Sequence, residues 1–149
     1  MKVKECMCNK VACVTPQDTI SNVAKVMQSN HIGCVPVCNN QKTLCGIITD
    51  RDIVLRAVAA GKDLDSTMAS DIMTTQICTC TQDDDMTNAQ TIMANNQIRR
   101  LPVCDTNNRV IGMLTLGNLA NNNTQIGDEQ LSDTISDICN CNGQTKNAE

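Results

Sequence analysis

The sequence contains no phenylalanine, tyrosine or tryptophan. Aromatic rings are the platforms on which single-stranded nucleic-acid binders stack bases, so a binding surface of that kind is excluded. A purine bound by this chain would have to lie between aliphatic side chains and backbone. The core is likewise limited to aliphatic residues, methionine, alanine and cysteine. The eight methionines are flexible enough to fill gaps that aromatic rings usually occupy.

Positive charge is also scarce. Twelve lysines and arginines face 16 aspartates and glutamates, which gives a net charge of −4. A protein that follows the phosphate backbone needs a basic face, so we expect no nucleic-acid partner. No apolar run approaches the roughly 20 residues of a membrane span. The first residues also lack the apolar stretch of a secretory signal, so we expect a cytoplasmic chain with no membrane partner.

The chain repeats itself. Met7 falls on Met73, and the same shift without a gap places Pro36 on Pro102 and Gly46 on Gly112. The repeat covers about residues 5–54 and again 71–120. Two copies make a pseudo-symmetric pair, whereas a solenoid needs more repeats.

Each copy has the same predicted elements. A short apolar strand at residues 11–14 precedes a helix, in which Ile20, Val23 and Met27 share one face and Thr19 is the N-cap. The helix ends near residues 30–31. Strands at 34–38 and 44–48 are joined by a short polar turn and so predict an antiparallel hairpin. A second helix covers about 52–60 and stops at Gly61. The order is β-α-β-β-α twice, in an α+β (α/β-like) fold.

The last part of the chain differs in composition. Residues 121–149 form a polar tail, in which Leu131, Ile135 and Ile138 recur at helical spacing. This predicts an amphipathic helix over 128–138, which packs either on the core or on a partner subunit. Residues 140–149 are expected to fray.

The candidate ligand-binding residues lie in the heptapeptide Gly46-Ile47-Ile48-Thr49-Asp50-Arg51-Asp52. A strand that runs straight into a helix leaves free backbone N–H groups at the positive end of the helix dipole, which suits an anionic ligand. Thr49 could then donate to a phosphate oxygen and Asp52 could accept from the hydroxyls of a ribose. The same Thr-x-x-Asp spacing is also that of a capping box, which only closes the helix end. Both interpretations stand.

This pattern resembles the tandem cystathionine-β-synthase (CBS) domain family, whose paired repeats are called a Bateman module. The residues that carry the resemblance are GIITDRDIVLRAVAAGKD at 46–63, SDIM at 70–73 and QIRRLPV at 97–103. They look most like small bacterial stand-alone CBS-pair proteins. The resemblance implies CBS repeats at 1–61 and 71–120 with a linker at 62–70, packed sheet to sheet around a pseudo-two-fold axis with two clefts. It also implies a non-enzymatic regulatory homodimer that senses an adenosine-containing ligand such as AMP, ADP or ATP, with no required cofactor and an unknown protein partner.

The family's ligand-binding positions fall on the repeated strand ends. Thr49 and Asp52 match fully, with Asp50 between them, and the second copy has Thr115 and Asn118. Asparagine lacks the charge that strengthens a hydrogen bond to a ribose hydroxyl. We therefore expect the Asp52 cleft to be the better nucleoside site and the Asn118 cleft to be weak or empty.

Other candidate ligand contacts come from the same resemblance. Arg99 and Arg100 match a phosphate-binding position, although they could equally be a solvated pair at a helix–strand corner. Thr15 and Thr81 match contacts at the exit of the first strand, and Thr15 could instead be a helix cap. Three aliphatic residues either line the base pocket or belong to the core: Ile32, Val35 and Ile98.

Eleven cysteines are a large and odd number. In a reducing compartment structural disulfides are not expected, and most of these cysteines align with small apolar residues of the other copy, so no metal site is predicted. Cys13 and Cys38 end neighbouring strands and form a candidate redox pair. A thiol-based redox or metal sensor on the same scaffold is the alternative function. The single histidine, His31, has no nucleophile beside it in sequence, which argues against an enzyme.

Overall fold

The computed structural model describes residues 1–122 and 126–139. After a 3-10 turn at Val3–Glu5, the first half comprises α1 (Ile20–Asn30), β1 (Cys34–Cys38), β2 (Leu44–Thr49) and α2 (Asp50–Ile53), which continues as a π-helical turn at Val54–Val58. The second half comprises α3 (Ala69–Ile72), β3 (Cys80–Thr81), α4 (Met86–Asn96), β4 (Arg100–Cys104), β5 (Val110–Thr115) and α5 (Leu116–Asn121), followed by α6 (Asp128–Cys139). The predicted α+β fold is confirmed.

The predicted first helix is confirmed at both ends. The hydroxyl of Thr19 accepts a hydrogen bond from the backbone of Asn22 at 3.2 Å, which caps the N-terminus. Ile20, Val23 and Met27 are its buried face. The helix stops at His31, which adopts a left-handed conformation with φ of 53°.

Each half contains the predicted hairpin. β1 pairs antiparallel with β2, and β4 pairs antiparallel with β5. Pro36 lies within β1 opposite Ile47, in a two-stranded sheet in which both strands are edge strands. This position is tolerated because Ile47 exchanges its backbone hydrogen bonds with Thr74, at 2.9 and 3.0 Å, rather than with the proline.

The predicted first strand is much shorter than residues 11–14. It is reduced to one parallel bridge between Val14 and Val37, and in the second half to the two residues of β3. Val14 donates to the carbonyl of Pro36 at 3.0 Å. A parallel ladder continued upstream would next need the backbone N–H of residue 36, which proline lacks. Pro36 therefore ends the ladder, and Pro102 stands in the same place in β4.

The N-terminal segment packs on the second half of the chain. The backbone of Val3 donates to Asp84 at 3.0 Å, and Cys8 exchanges hydrogen bonds with Met113 at 2.9 and 3.0 Å. Met7 lies over Gly112, where an added Cβ would stand 2.6 Å from the methionine sulfur. The glycine therefore allows this close approach.

The equivalent segment before the second repeat packs on the first half. Ala69 donates to Asp18 at 2.8 Å, and Met73 lies over Gly46, where an added Cβ would be 2.5 Å from its sulfur. Ala69 and Ile72 are buried in the core of the first half. Each half thus receives the leading segment of the other, and the sequence-based boundaries at 61 and 71 stay a prediction.

The predicted tail helix is confirmed as α6, and it packs on the core of the second half. Leu131 and Ile138 are buried there, and Gln90 of α4 donates to the hydroxyl of Thr134 at 3.5 Å. The expectation that residues 140–149 fray lies outside the described residues. Among the residues that the structure describes, no helix is both long and apolar enough to cross a bilayer.

Candidate functional site

A cavity of about 640 Å³ lies between the two halves. On one side it is lined by the end of β2 and the start of α2, including Thr49 and Asp52. On the other side it is lined by residues that lead into β4, including Ile98 and Arg100. The segment that crosses between the halves closes a third side with Ile77. This cavity therefore exists only because the halves pack together.

The start of α2 is closed by its own side chains. The backbone N–H of Thr49 donates to Oδ2 of Asp52 at 3.0 Å, and the N–H of Asp52 donates to Oγ1 of Thr49 at 3.1 Å. The N–H of Asp50 donates to the carbonyl of Gly33 at 2.9 Å, and that of Arg51 to the Asp50 carboxylate at 2.9 Å. The expectation of free backbone N–H groups at this helix start is therefore wrong, because the chain satisfies them itself.

The capping box leaves one oxygen of Asp52 available. Oδ2 accepts the cap, while Oδ1 lies 3.8 Å from Nε of Arg56, which is beyond hydrogen-bonding distance. The side chain of Asp52 is 15% exposed. An ionised carboxylate has about four acceptor positions, so Asp52 can hold the helix start and still accept hydrogen bonds from hydroxyl groups in the cavity.

The cationic groups of the cavity are unpaired. Within residues 1–122 and 126–139, no hydrogen bond or ion pair engages the guanidinium groups of Arg51, Arg99 and Arg100. Arg100 is half-buried, and its Nη2 lies 3.5 Å from where a Cβ on Gly33 would stand. The nearer neighbour is the carboxylate of Asp50, whose Oδ2 would stand 2.7 Å from that Cβ, so the glycine at position 33 leaves room for Asp50. An anionic group bound here would meet positive charge without displacing an existing ion pair.

Arg100 also acts on the neighbouring thiol. Burial raises the pKa of Cys34 to about 11, and the positive charge of Arg100 opposes that rise. Cys34 is 5% exposed and lines the same cavity. This thiol stays protonated at neutral pH and acts as a small apolar wall.

Aliphatic side chains form the rest of the surface. Ile47 at the end of β2, Ile77 of the crossing segment and Ile98 before β4 all line the cavity. Pro102 lies beside them. A purine ring could be held between these side chains, which are the aliphatic substitutes that the lack of aromatic residues requires.

Six of the predicted ligand-binding residues come together in this cavity: Thr49, Asp50, Asp52, Ile98, Arg99 and Arg100. Two of the predicted base-pocket residues lie elsewhere. Val35 is fully buried in the core of the first half, and Ile32 lines a neighbouring cavity of about 530 Å³ with His31 and Val54. Of the two interpretations that the sequence allowed for Val35, the structure therefore shows core packing.

Thr15 directly follows the bridged residue Val14 and precedes α1, whereas Thr81 is the last residue of β3 and precedes α4. The backbone of Thr15 donates to the carboxylate of Asp18 at 2.7 Å, and that of Thr81 donates to Asp84 at 2.9 Å. Neither threonine is the helix cap, since the N-cap residue is Thr19 in α1 and Asp85 in α4. Neither lines the cavity between the halves.

The second copy closes its capping box more completely than the first. The N–H of Thr115 donates to Oδ1 of Asn118 at 2.9 Å, and the N–H of Asn118 donates to Oγ1 of Thr115 at 3.1 Å. The hydroxyl of Thr115 also donates to the same Oδ1 at 2.8 Å. Both side chains are thus engaged with each other, and neither lines the 640 Å³ cavity.

Sequence reasoning missed the cavity residues of the crossing segment, Thr74 to Cys78. Their contribution depends on the exchange of segments between the halves, which hydrophobic periodicity does not reveal. Arg51 was also missed, although it lies within the heptapeptide that carries the other site residues. Its position between two site carboxylates was the signal that could have identified it.

Cys38 has several cysteine neighbours among the described residues: it packs with Cys104 in one apolar cluster, and Cys13 and Cys45 also act on its thiol. The thiols of Cys13 and Cys38 are close enough to shift each other's pKa, in agreement with their expected place at neighbouring strand ends. Within the part of the chain that the structure describes, no group of three or more His, Cys, Asp or Glu side chains is placed to hold a metal ion.

The comparisons with known proteins agree with this architecture. The profile of the CBS domain matches the chain twice, at residues 3–58 and 69–122. The CBS domain-containing protein YhcV of Bacillus subtilis is 38% identical over 140 residues, which are 94% of this chain and 96% of that protein.

Two solved structures are similar in fold. The CBS domain pair of protein MJ0100, in complex with 5′-methylthioadenosine and S-adenosyl-L-methionine, superposes with a TM-score of 0.74 at 26% identity, over 81% of this chain and 94% of that chain. Hypoxic Response Protein I, with two coordinated zinc ions, superposes with a TM-score of 0.75 at 29% identity, over 81% of this chain and 98% of that chain.

Proposed function

The chain belongs to the CBS domain family, and we propose that this CBS pair is a non-enzymatic regulatory module that binds an adenosine-containing ligand between its halves. The observation that carries the proposal is the 640 Å³ cavity where Asp52 of one half faces Arg99 and Arg100 of the other. It combines a carboxylate for hydroxyl groups, cations for phosphate and aliphatic walls for a base. Those are the three chemical parts of a nucleotide.

The ligand's ribose belongs at the start of α2. Oδ1 of Asp52 can accept from vicinal hydroxyls while Oδ2 keeps the helix cap. Charge-assisted hydrogen bonds of this kind are stronger than neutral ones. The hydroxyl of Thr49 lies next to it and can donate, unlike that of Thr115, whose proton goes to Asn118. This difference supports the expectation that the Asp52 site is the stronger of the two.

The phosphate belongs at the arginines. Arg100 is half-buried and unpaired among the described residues, and burying a cation without a partner is unfavourable. A planar guanidinium can bind two phosphate oxygens at once. A bound phosphate would supply the missing partner and would join the two halves across the cavity. The ligands seen in the MJ0100 pair also contain adenosine, which supports the choice of base and sugar.

The module has to transmit binding to another surface. A ligand shifts an equilibrium only through different affinities for two states. The π-helical turn after α2 offers a surface, since Val54, Leu55 and Val58 are 55%, 50% and 55% exposed. We propose that this apolar face joins two copies of the chain in a homodimer. It begins directly after the ribose site, so a ligand that moves α2 would move the interface.

A catalytic role has no support in this cavity. His31 lies outside it at the C-terminus of α1, and within the described residues the cavity places no histidine or activated serine beside a reactive group. Every cysteine from Cys6 to Cys104 is a free thiol, which suits the reducing cytoplasm that we propose as the location. A zinc-dependent role, by contrast, has no cluster of donors among the described residues.

Thermal unfolding with and without ligands tests the proposal. The panel comprises AMP, ATP, S-adenosylmethionine and 5′-methylthioadenosine, with GMP and zinc chloride as controls. A ligand at 100 times its Kd stabilises the native state by about 2.7 kcal/mol, which for this length raises Tm by roughly 5–10 °C. An extrinsic dye must report unfolding, since the chain has no tryptophan or tyrosine. A panel in which no adenosine compound raises Tm contradicts the proposal.

A further inference from the structure

Cys13 and Cys38 are held together by backbone pairing. Val14 donates to Pro36 at 3.0 Å and accepts from Cys38 at 2.8 Å in a parallel bridge to Val37, so the register places Cys13 opposite Pro36, two positions before Cys38. The register of β1 against β2 shifts between Val37 and Cys38, which re-aims the side chain of Cys38. The two thiols are close enough there for each to shift the pKa of the other.

The two thiols occupy different environments. Cys13 is exposed and lines a cavity of about 620 Å³, whereas Cys38 is 3% exposed. Two cations, Lys42 and Arg109, line the same cavity, and Arg109 is already paired with Asp105 at 2.9 Å. A small reagent can therefore reach Cys13 and cannot reach Cys38 directly.

Their protonation differs accordingly. The hydrogen bond from Cys38 lowers the pKa of Cys13 from 9.0 to about 7, and Lys42 adds to that effect against partial burial. The same hydrogen bond, followed by burial, raises the pKa of Cys38 far above its ordinary value, and the nearby Cys45 and Cys104 act in the same direction. Cys13 is thus the thiol that ionises more readily, and Cys38 is the proton donor. The thiolate is the nucleophilic form of cysteine.

We propose that Cys13 and Cys38 form an oxidisable dithiol, in which the exposed Cys13 reacts with a peroxide and the buried Cys38 converts the product to a disulfide. The inference is independent of nucleotide binding. It rests on the contact between the thiols, the cavity on the Cys13 side and the burial of Cys38. The second half has no such pair, because Thr79 stands at the position equivalent to Cys13 and only Cys104 matches Cys38.

The chemistry balances in two steps. The Cys13 thiolate attacks one peroxide oxygen, the O–O bond breaks, sulfur loses two electrons, and the leaving oxygen takes a proton to become water or an alcohol. This gives a sulfenic acid at Cys13. The sulfur of Cys38 then attacks that of Cys13, the S–O bond breaks, and the departing hydroxide takes the Cys38 proton and leaves as water. One peroxide thus converts two thiols to one disulfide.

The experiment is site-resolved mass spectrometry on the full chain. The fully reduced protein receives one equivalent of hydrogen peroxide at pH 7, is quenched by alkylation and is digested without reductant. The expected product is a peptide pair joined through Cys13 and Cys38. Cys8→Ser is the matched control, since Cys8 is also exposed and its removal should leave the product unchanged. A wild-type chain that forms other disulfides first, or none, overturns the proposal.

Two variants of Cys38 separate its roles. Cys38→Ser keeps a hydrogen-bond donor but cannot form the disulfide, so Cys13 should accumulate as a sulfenic acid that a dimedone probe traps. Cys38→Ala removes the donor as well. The thiolate fraction of Cys13 at pH 7 should then fall about 50-fold, and after allowing for its higher intrinsic nucleophilicity the alkylation rate should fall roughly five- to eightfold. Equal Cys13 alkylation rates in Cys38→Ser and Cys38→Ala overturn the assignment of Cys38 as donor.

Discussion

Replacing Asp52 with asparagine separates the helix cap from the ligand site, because the second half of the chain already carries that residue. Asn118 closes its box with Thr115 by bonds of 2.9 and 3.1 Å, and Asp52 closes its box with Thr49 by bonds of 3.0 and 3.1 Å. We therefore expect Asp52→Asn to preserve the start of α2. An alanine at this position would remove the cap as well and would not distinguish the two roles.

The cost in stability should be small. A carboxylate in the first turn of a helix contributes about 0.3–1 kcal/mol through the helix dipole. The pair with the half-exposed Arg56, at 3.8 Å, adds at most about 0.5 kcal/mol. A loss of about 1.5 kcal/mol or less lowers Tm by no more than roughly 6 °C in a chain of this length.

The cost in binding should be much larger. A hydrogen bond to a charged group contributes about 1.5–3 kcal/mol, against about 0.5–1.5 kcal/mol for a neutral one. Two ribose hydroxyls on Asp52 would together lose about 2–3 kcal/mol. This raises the Kd for AMP by about 30- to 150-fold.

Isothermal titration calorimetry of AMP against three proteins measures the effect: the wild type, Asp52→Asn and the control Asn118→Asp. The control changes the equivalent box outside the cavity and should leave the Kd of the principal site within about twofold, well below the tenfold that 1.4 kcal/mol represents. An unchanged Kd in Asp52→Asn would show that the carboxylate only caps the helix. If Asn118→Asp weakened AMP binding as much as Asp52→Asn does, the assignment of the site to Asp52 would be refuted.

The remaining predictions concern phosphate, packing and acid. Arg100→Gln should raise the Kd for AMP about tenfold or more by removing a charge-assisted hydrogen bond. It should leave the Kd for 5′-methylthioadenosine, which has no phosphate, unchanged. An equal rise in both Kd values would argue against a phosphate contact. Gly112→Ala should destabilise by about 1–3 kcal/mol in urea, since its Cβ would meet a methionine sulfur at 2.6 Å, whereas Gly117→Ala on exposed α5 should not. The backbone N–H of Arg109 lowers the pKa of Asp105 in the folded protein. The ionised Asp105 therefore stabilises the folded state fully above the ordinary carboxyl pKa, and this stabilisation is lost as the pH falls through the lowered pKa of the folded state. Urea midpoints measured from about pH 5 to pH 2 should therefore fall further for the wild type than for Asp105→Asn.

Much of the fold could be predicted from local patterns. The helix α1, its Thr19 cap, both hairpins and α6 follow from spacing and capping residues, which act within a few positions of the chain. The internal repeat makes the prediction of each element more secure, because a pattern seen in one copy can be checked in the other. His31 and Gln97, for example, are equivalent, and both end their helices with φ near 50°.

Other features depend on partners that are distant in sequence. The first strand is short because Pro36, more than 20 positions away, lacks the backbone N–H that would continue the hydrogen-bond ladder. The exchange of leading segments between halves leaves no periodic signal, since only Gly46 and Gly112 mark where the other segment crosses. The sequence therefore predicted Asp52, Arg99 and Arg100 as site residues but could not place the crossing segment beside them.

The cysteines illustrate a further limit. Sequence alone placed Cys13 and Cys38 on neighbouring strand ends, yet it could not tell which thiol is accessible. That difference comes from the burial of Cys38 and from the cavity shared by Cys13 and Lys42. Both are properties of packed surfaces and not of local sequence.

The reciprocal exchange of segments has a consequence for a broken chain. Gly61 lies in an exposed turn after the first copy, and a protease cut there would leave residues 3–8 clasped by the C-terminal fragment and residues 69–74 clasped by the N-terminal one. The fragments would stay interlocked and would still enclose the cavity. Two separate polypeptides, each the length of one copy, could assemble in the same way, so the ability to hold a ligand belongs to the pairing rather than to either copy.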